Sequence, residues 1–138
     1  MRFIVLGLAT KEMEQGVPPK PEAFAAMQKY NEDAVKAGIL LAAEGLAPPS
    51  KGARLKFNGD DPVVVDGPFT ESKELVAGFS IIKVKSLQEA IEWVKRAPRV
   101  SSGEAVVEIR KLMDVDDFAD MLGDAFTPNE EVAKVKFS

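Results

Sequence analysis

Ala77-Gly78-Phe79-Ser80-Ile81-Ile82-Lys83-Val84 is followed by Ser86-Leu87-Gln88-Glu89-Ala90-Ile91-Glu92-Trp93-Val94 and then by Ala105-Val106-Val107-Glu108-Ile109-Arg110-Lys111-Leu112. The first stretch has the twofold alternation of a strand, with Phe79, Ile81 and Lys83 on one face and Ser80, Ile82 and Val84 on the other. In the second, Ser86 and Glu89 are spaced as a capping box, Leu87, Ala90, Ile91 and Val94 make a helical stripe, and Pro98 stops the helix. In the third, Val107 and Ile109 alternate with Glu108 and Arg110. Together the three stretches predict a β-α-β unit.

The N-terminal part reads as a second such unit. Residues 3–8 form an apolar run suited to a central strand. Residues 10–20, with Gly16 and Pro18-Pro19, read as a loop. Pro21 can open a helix over residues 21–37, because a missing N–H costs nothing at the first helical position. Phe24, Met27, Asn31, Ala34 and Val35 share its expected inner side, and Gly38 is the expected C-cap. Residues 39–46 return as a strand. Between the two units, Leu55 and Phe57 alternate with Arg54 and Lys56, Asn58-Gly59 marks a turn extended by Asp60-Asp61-Pro62, and Val63-Val64-Val65 pairs back, so residues 53–65 predict a hairpin.

The order is β-α-β, hairpin, β-α-β. Two helices on one face of an antiparallel sheet is the ferredoxin-like, α+β solution. Its second face would be bare and rich in Val and Ile, and large bare apolar patches usually mark interfaces. A homodimer through the open sheet face is therefore expected. Residues 1–112 read as the domain. Residues 113–138 read as a C-terminal helix and tail, with Phe118, Met121, Leu122, Ala125 and Phe126 as its stripe and a further alternation at Val135 and Phe137. Docking on the domain or on the dimer partner is the simplest use of that stripe; covering a cleft is the functional alternative.

The 138 residues carry net charge −4 and contain no cysteine and no histidine. The first absence excludes disulfides and thiolate sites. The second removes the usual neutral-pH base and the commonest transition-metal ligand. With an isoelectric point near 5.0 and no run of basic residues, a nucleic-acid partner is not expected. The N-terminal apolar run ends before Lys11, Glu12 and Glu14, too short for a membrane span of ~20 residues. No membrane partner and a cytoplasmic location are the expectations. There is no Gly-x-Gly-x-x-Gly and no phosphate loop, so no cofactor is expected. No carboxylate spacing suggests a metal, and Asp114, Asp116, Asp117 and Asp120 read as acids at a helix start.

Asp66-Gly67-Pro68-Phe69-Thr70-Glu71-Ser72-Lys73-Glu74 is the strongest motif. With Ala37-Gly38-Ile39-Leu40, Glu44-Gly45-Leu46, Pro49-Ser50, Gly52-Ala53-Arg54, Ala77-Gly78-Phe79, Glu89-Ala90-Ile91-Glu92-Trp93 and Glu108-Ile109-Arg110, it resembles the DGPF-domain proteins of the YCII-related family over about residues 1–118. The resemblance implies a ferredoxin-like fold in a dimeric α/β-barrel assembly. It also implies, for the broader family, a chemistry built on a helix-one histidine and an aspartate before a proline. This chain has no histidine, and Ala97 precedes Pro98, so that chemistry does not carry over. The resemblance further implies, for some members, a link to extracytoplasmic-function sigma factors.

The residues themselves give two readings of a site. Asp-Gly-Pro is good turn chemistry, yet a carboxylate held at a strand end can also act as acid or base. Glu44 lies in an apolar strand and, if buried, needs a cation such as Arg54 or Lys73. In the functional reading, Asp66 or Glu44 is catalytic, while Arg54, Lys73, Glu71, Phe69 and Trp93 bind a small, anionic organic molecule in a cleft near the turn. In the structural reading, Asp66 shapes a turn, Phe69 plugs the core, the charges are solvated, and Tyr30 and Trp93 pack. The alternative function is a non-catalytic interaction or regulatory protein.

Overall fold

The computed structural model describes residues 1–66, 75–99 and 103–135, Asp66 through its backbone only. The elements in chain order are β1 (Arg2–Leu8), α1 (Lys11–Glu14), α2 (Pro21–Lys36), β2 (Leu40–Gly45), a 3-10 turn (Pro49–Lys51), β3 (Ala53–Asn58), β4 (Asp61–Asp66), β5 (Val76–Lys83), α3 (Leu87–Lys95), β6 (Val107–Lys111), α4 (Val115–Leu122), a second 3-10 turn (Gly123–Ala125) and α5 (Glu130–Ala133).

Four strands form an antiparallel sheet in the order β2-β5-β1-β6. The connections through α2 and through α3 each skip one strand. This α+β arrangement is compatible with the ferredoxin-like fold. Register assigns the faces. Phe3 pairs with Ile82 and Val5 with Ile109, and these side chains join Ile39, Val84 and Ala90 in the core, with Leu40 and Trp93 against it. On the other face, Ile4 pairs with Ile81 and Leu6 with Phe79. Ile81 is buried there; Ile4, Leu6 and Phe79 are half-buried.

The hairpin of β3 and β4 stands as its own two-stranded sheet. It turns through Gly59-Asp60, with Gly59 at φ 81, the first central position at which type II′ turns want glycine. Every described side chain from Ala53 to Val64 is exposed.

Several expectations are corrected. The loop expected over residues 10–20 contains α1, because the Thr10 hydroxyl caps it by accepting from the Met13 N–H at 3.3 Å. The inner side of α2 is Ala23, Met27, Tyr30, Asn31 and Ala34, while Phe24 is 56% exposed and Val35 58%. Leu87, expected on the inner stripe of α3, is exposed as well. The tail forms α5 where strand-like alternation was expected up to Val135; Phe137 lies outside the described residues. Gly38 follows α2 at φ 74, as a glycine at a helix C-terminus does.

Candidate functional site

The inner side of α2 meets the end of α3 at Tyr30 and Trp93. The Tyr30 hydroxyl donates to the Trp93 carbonyl at 2.6 Å. That carbonyl lies in the last turn of α3, where carbonyls run out of intrahelical donors, and it also accepts the Arg96 N–H at 3.1 Å. The two rings are tilted at 58° with centroids 6.4 Å apart. Pro98 prevents α3 from continuing, so the chain leaves the helix with the Arg96 guanidinium over the Trp93 ring, 4.8 Å from its centroid.

These residues bound an open groove of about 350 Å³ between α2 and α3. Ala26 and Pro98 add apolar wall. Lys29 and Asp33 stand on the α2 rim, paired at 2.8 Å and largely exposed. The hydrogen bond to Asp33 raises the Lys29 pKa, so the ammonium keeps its charge. Burial raises the Tyr30 pKa, with the Arg96 charge acting in the opposite sense. Tyr30 is therefore a neutral phenol whose proton is already given to a carbonyl. The groove offers an aromatic wall and an excess of one positive charge.

The sequence-predicted residues fall in three places. Trp93 lines the groove and also packs on the core. Glu44 and Arg54 are elsewhere. Glu44 pairs with Phe79 near the end of β2, on the sheet face away from the helices. It is exposed, and among the described residues it has no bonded partner, so the buried carboxylate expected in an apolar strand is corrected. The edge position of β2 explains this. Arg54 is exposed at the base of the hairpin, and the backbone of Asp66 pairs with Ala53 beside it. Phe69, Glu71 and Lys73 lie outside the described residues. Arg96 and Lys29 were missed by sequence reasoning. The signal for Arg96 was its spacing of three from Trp93 just before a proline, which turns a helix-end cation back over the ring.

Among the described residues, no group of three or more carboxylates could hold a metal ion, and no helix is long and apolar enough to cross a membrane.

The model of the YCII-related domain matches residues 1–115. The chain belongs to the YCII-related family. An uncharacterised protein of Rhizobium meliloti (strain 1021) is 33% identical to it over 88 residues, which are 64% of this chain and 68% of that protein. The family match ends at the first residue of α4. The C-terminal arm of this YCII-related chain thus lies beyond the matched domain.

Proposed function

We propose that this YCII-related protein binds a small organic anion with a planar apolar part, and that it does so in the groove between α2 and α3. One observation carries the reading: Arg96 stacked on Trp93 at the mouth of a groove whose other rim holds Lys29. A ring would lie against Trp93 and Pro98, and its carboxylate would take the outer N–H groups of Arg96. Trp93 is the only tryptophan of the chain, so its emission reports on the groove directly. Titration with benzoate, salicylate and aliphatic dicarboxylates should give a saturable change for at least one of them. Loss of a charge-assisted hydrogen bond in Arg96→Gln should weaken that binding about tenfold or more. A flat titration across the panel, or equal affinity in a folded Arg96→Gln protein, would sink the proposal. The turn at Asp66 is the second place for such a ligand, with Asp66 or Glu44 as acid or base and Arg54, Glu71, Phe69 and Lys73 around it. Asp66→Asn in the same titration separates the two places.

The assembly proposed with this function is a homodimer of ferredoxin-like subunits, their open sheet faces packed together as in a dimeric α/β barrel. The strand order β2-β5-β1-β6 and the apolar centre of the open face, Ile4, Leu6, Phe79 and Ile81, support it. A second reading is a non-catalytic regulatory protein, such as a partner of an extracytoplasmic-function sigma factor. The exposed apolar residues of the hairpin and of α4 favour it, because such surfaces usually meet another protein.

A further inference from the structure

The two walls of the groove between α2 and α3 differ in charge. On the α3 wall, the Arg96 guanidinium over Trp93 has no carboxylate partner among the described residues. Its outer N–H groups are the place for an anion. On the α2 wall, Ala26, Lys29, Tyr30 and Asp33 are spaced i, i+3, i+4 and i+7, which puts them in one stripe along the groove. The Lys29 ammonium donates one of its three N–H groups to Asp33 Oδ1 at 2.8 Å. Among the described residues the other two have no acceptor, and Asp33 Oδ2 has no donor. The pair thus carries no net charge, yet it can still donate at one atom and accept at another. Glu32, next to Asp33, is paired with Lys36 at 2.8 Å, and Glu92, next to Trp93, with Lys95 at 3.4 Å, so neither tips that balance.

We propose that the ligand of this groove is a hydroxylated aromatic acid, with its carboxylate on Arg96 and a ring hydroxyl on the Lys29–Asp33 pair. The proposal deepens the binding reading above and rests on it. A hydroxyl fits the pair because it accepts from Lys29 and donates to Asp33 in the same place. A second carboxylate there would share one ammonium with Asp33, and like charges held together are unfavourable. A bare ring leaves both atoms of the pair to water and gains nothing from them. The Tyr30 hydroxyl, committed to the Trp93 carbonyl at 2.6 Å, ties the two walls together beneath the ring. Because the walls stand on opposite sides of the groove, the hydroxyl has to sit at the end of the ring away from the carboxylate. An ortho hydroxyl turns back onto its own carboxylate and reaches neither Lys29 nor Asp33. Lys29 and Asp33 are then the residues that set specificity, while Arg96 and Trp93 supply the common grip.

Isothermal titration calorimetry of the full-length protein at neutral pH, with benzoate, 4-hydroxybenzoate, salicylate and terephthalate, tests the assignment. The expected result is that 4-hydroxybenzoate binds about fivefold tighter than benzoate, the worth of one net hydrogen bond. Salicylate should bind no tighter than benzoate, and terephthalate more weakly than 4-hydroxybenzoate. Lys29→Met and Asp33→Asn lie at exposed positions and are each checked for native circular dichroism. In Lys29→Met the preference for 4-hydroxybenzoate over benzoate should vanish. In Asp33→Asn the ammonium is left uncompensated, so terephthalate should become the tightest of the four. A helix pair that served stability alone would not exchange one ligand for another in this way. Binding of benzoate without a preference for 4-hydroxybenzoate overturns the assignment and leaves the binding reading standing, as does a preference that survives in Lys29→Met. Saturation by none of the four ends both.

Discussion

Gly78 is fixed by a contact that only the folded sheet creates. A Cβ built there would stand 2.9 Å from the Glu44 carbonyl oxygen and 3.4 Å from the Gly45 Cα. Both are backbone atoms of the neighbouring strand, and neither can rotate away. Gly78→Ala should therefore push β2 off β5 at the last pair of their ladder. The expected cost is about 1–3 kcal/mol, in line with other overpacked sites, read as a lower urea midpoint at unchanged slope. A variant as stable as wild type would mean that β2 yields there freely. In the sequence, Gly78 is one letter of an Ala-Gly-Phe motif, because its constraint lies thirty-four residues away along the chain. The stripe of α2 shows a related limit. Phe24 outweighs Ala23 in hydrophobicity, so periodicity placed Phe24 inward, whereas the small alanine is the less exposed of the two. Glu44 failed for a third reason: the residues around it are apolar, but an edge strand leaves that position wet.

At the scale of elements, strong local signals were legible. Ser86 accepts the Glu89 N–H at 3.1 Å as its spacing predicts, although the Glu89 carboxylate returns to the Lys85 N–H at 2.9 Å, one residue before the usual target. The hairpin and the stop of α3 before Pro98 were legible as well, although the turn is the pair Gly59-Asp60 and Asp61 and Pro62, expected in the turn, already belong to β4. The acids before α4 read as dipole partners, and the structure makes two of them a reciprocal cap, with Lys111 bonded to Asp117. The cap yields a prediction about pH. The hydrogen bond from Lys111, then that from the Asp114 backbone, lowers the Asp117 pKa below its unfolded value. A carboxylate depressed in the folded state stabilises above its unfolded pKa, about 3.9, and that contribution disappears as pH falls through the folded value. Amide protection factors over residues 115–122, taken relative to the intrinsic rate at each pH, should thus fall on acidification below about pH 4, before the sheet opens. Asp114→Ala should show the same loss of protection at pH 7. Equal protection in both proteins at pH 7 would mean that packing, not the cap, holds α4.

At the scale of the whole molecule, the open sheet face is a band of apolar side chains between charged margins. One row across it reads Glu44, Phe79, Leu6, Glu108, and the next reads Ala42, Ile81, Ile4, Arg110. A centre of this kind with a polar rim is how subunit interfaces are composed. Leu6 sits in the middle of the first row, half-buried in the single chain. A glutamate there would face water in a monomer, where one added surface charge costs little. In a face-to-face dimer the same carboxylate would be desolvated close to its own symmetry mate, and burying unpaired like charges is expensive. Leu6→Glu should thus leave circular dichroism unchanged while raising the dimer dissociation constant about a hundredfold or more. Sedimentation velocity across a dilution series measures it. If Leu6→Glu stays dimeric at the dilution that keeps wild type dimeric, the sheet faces are not the interface.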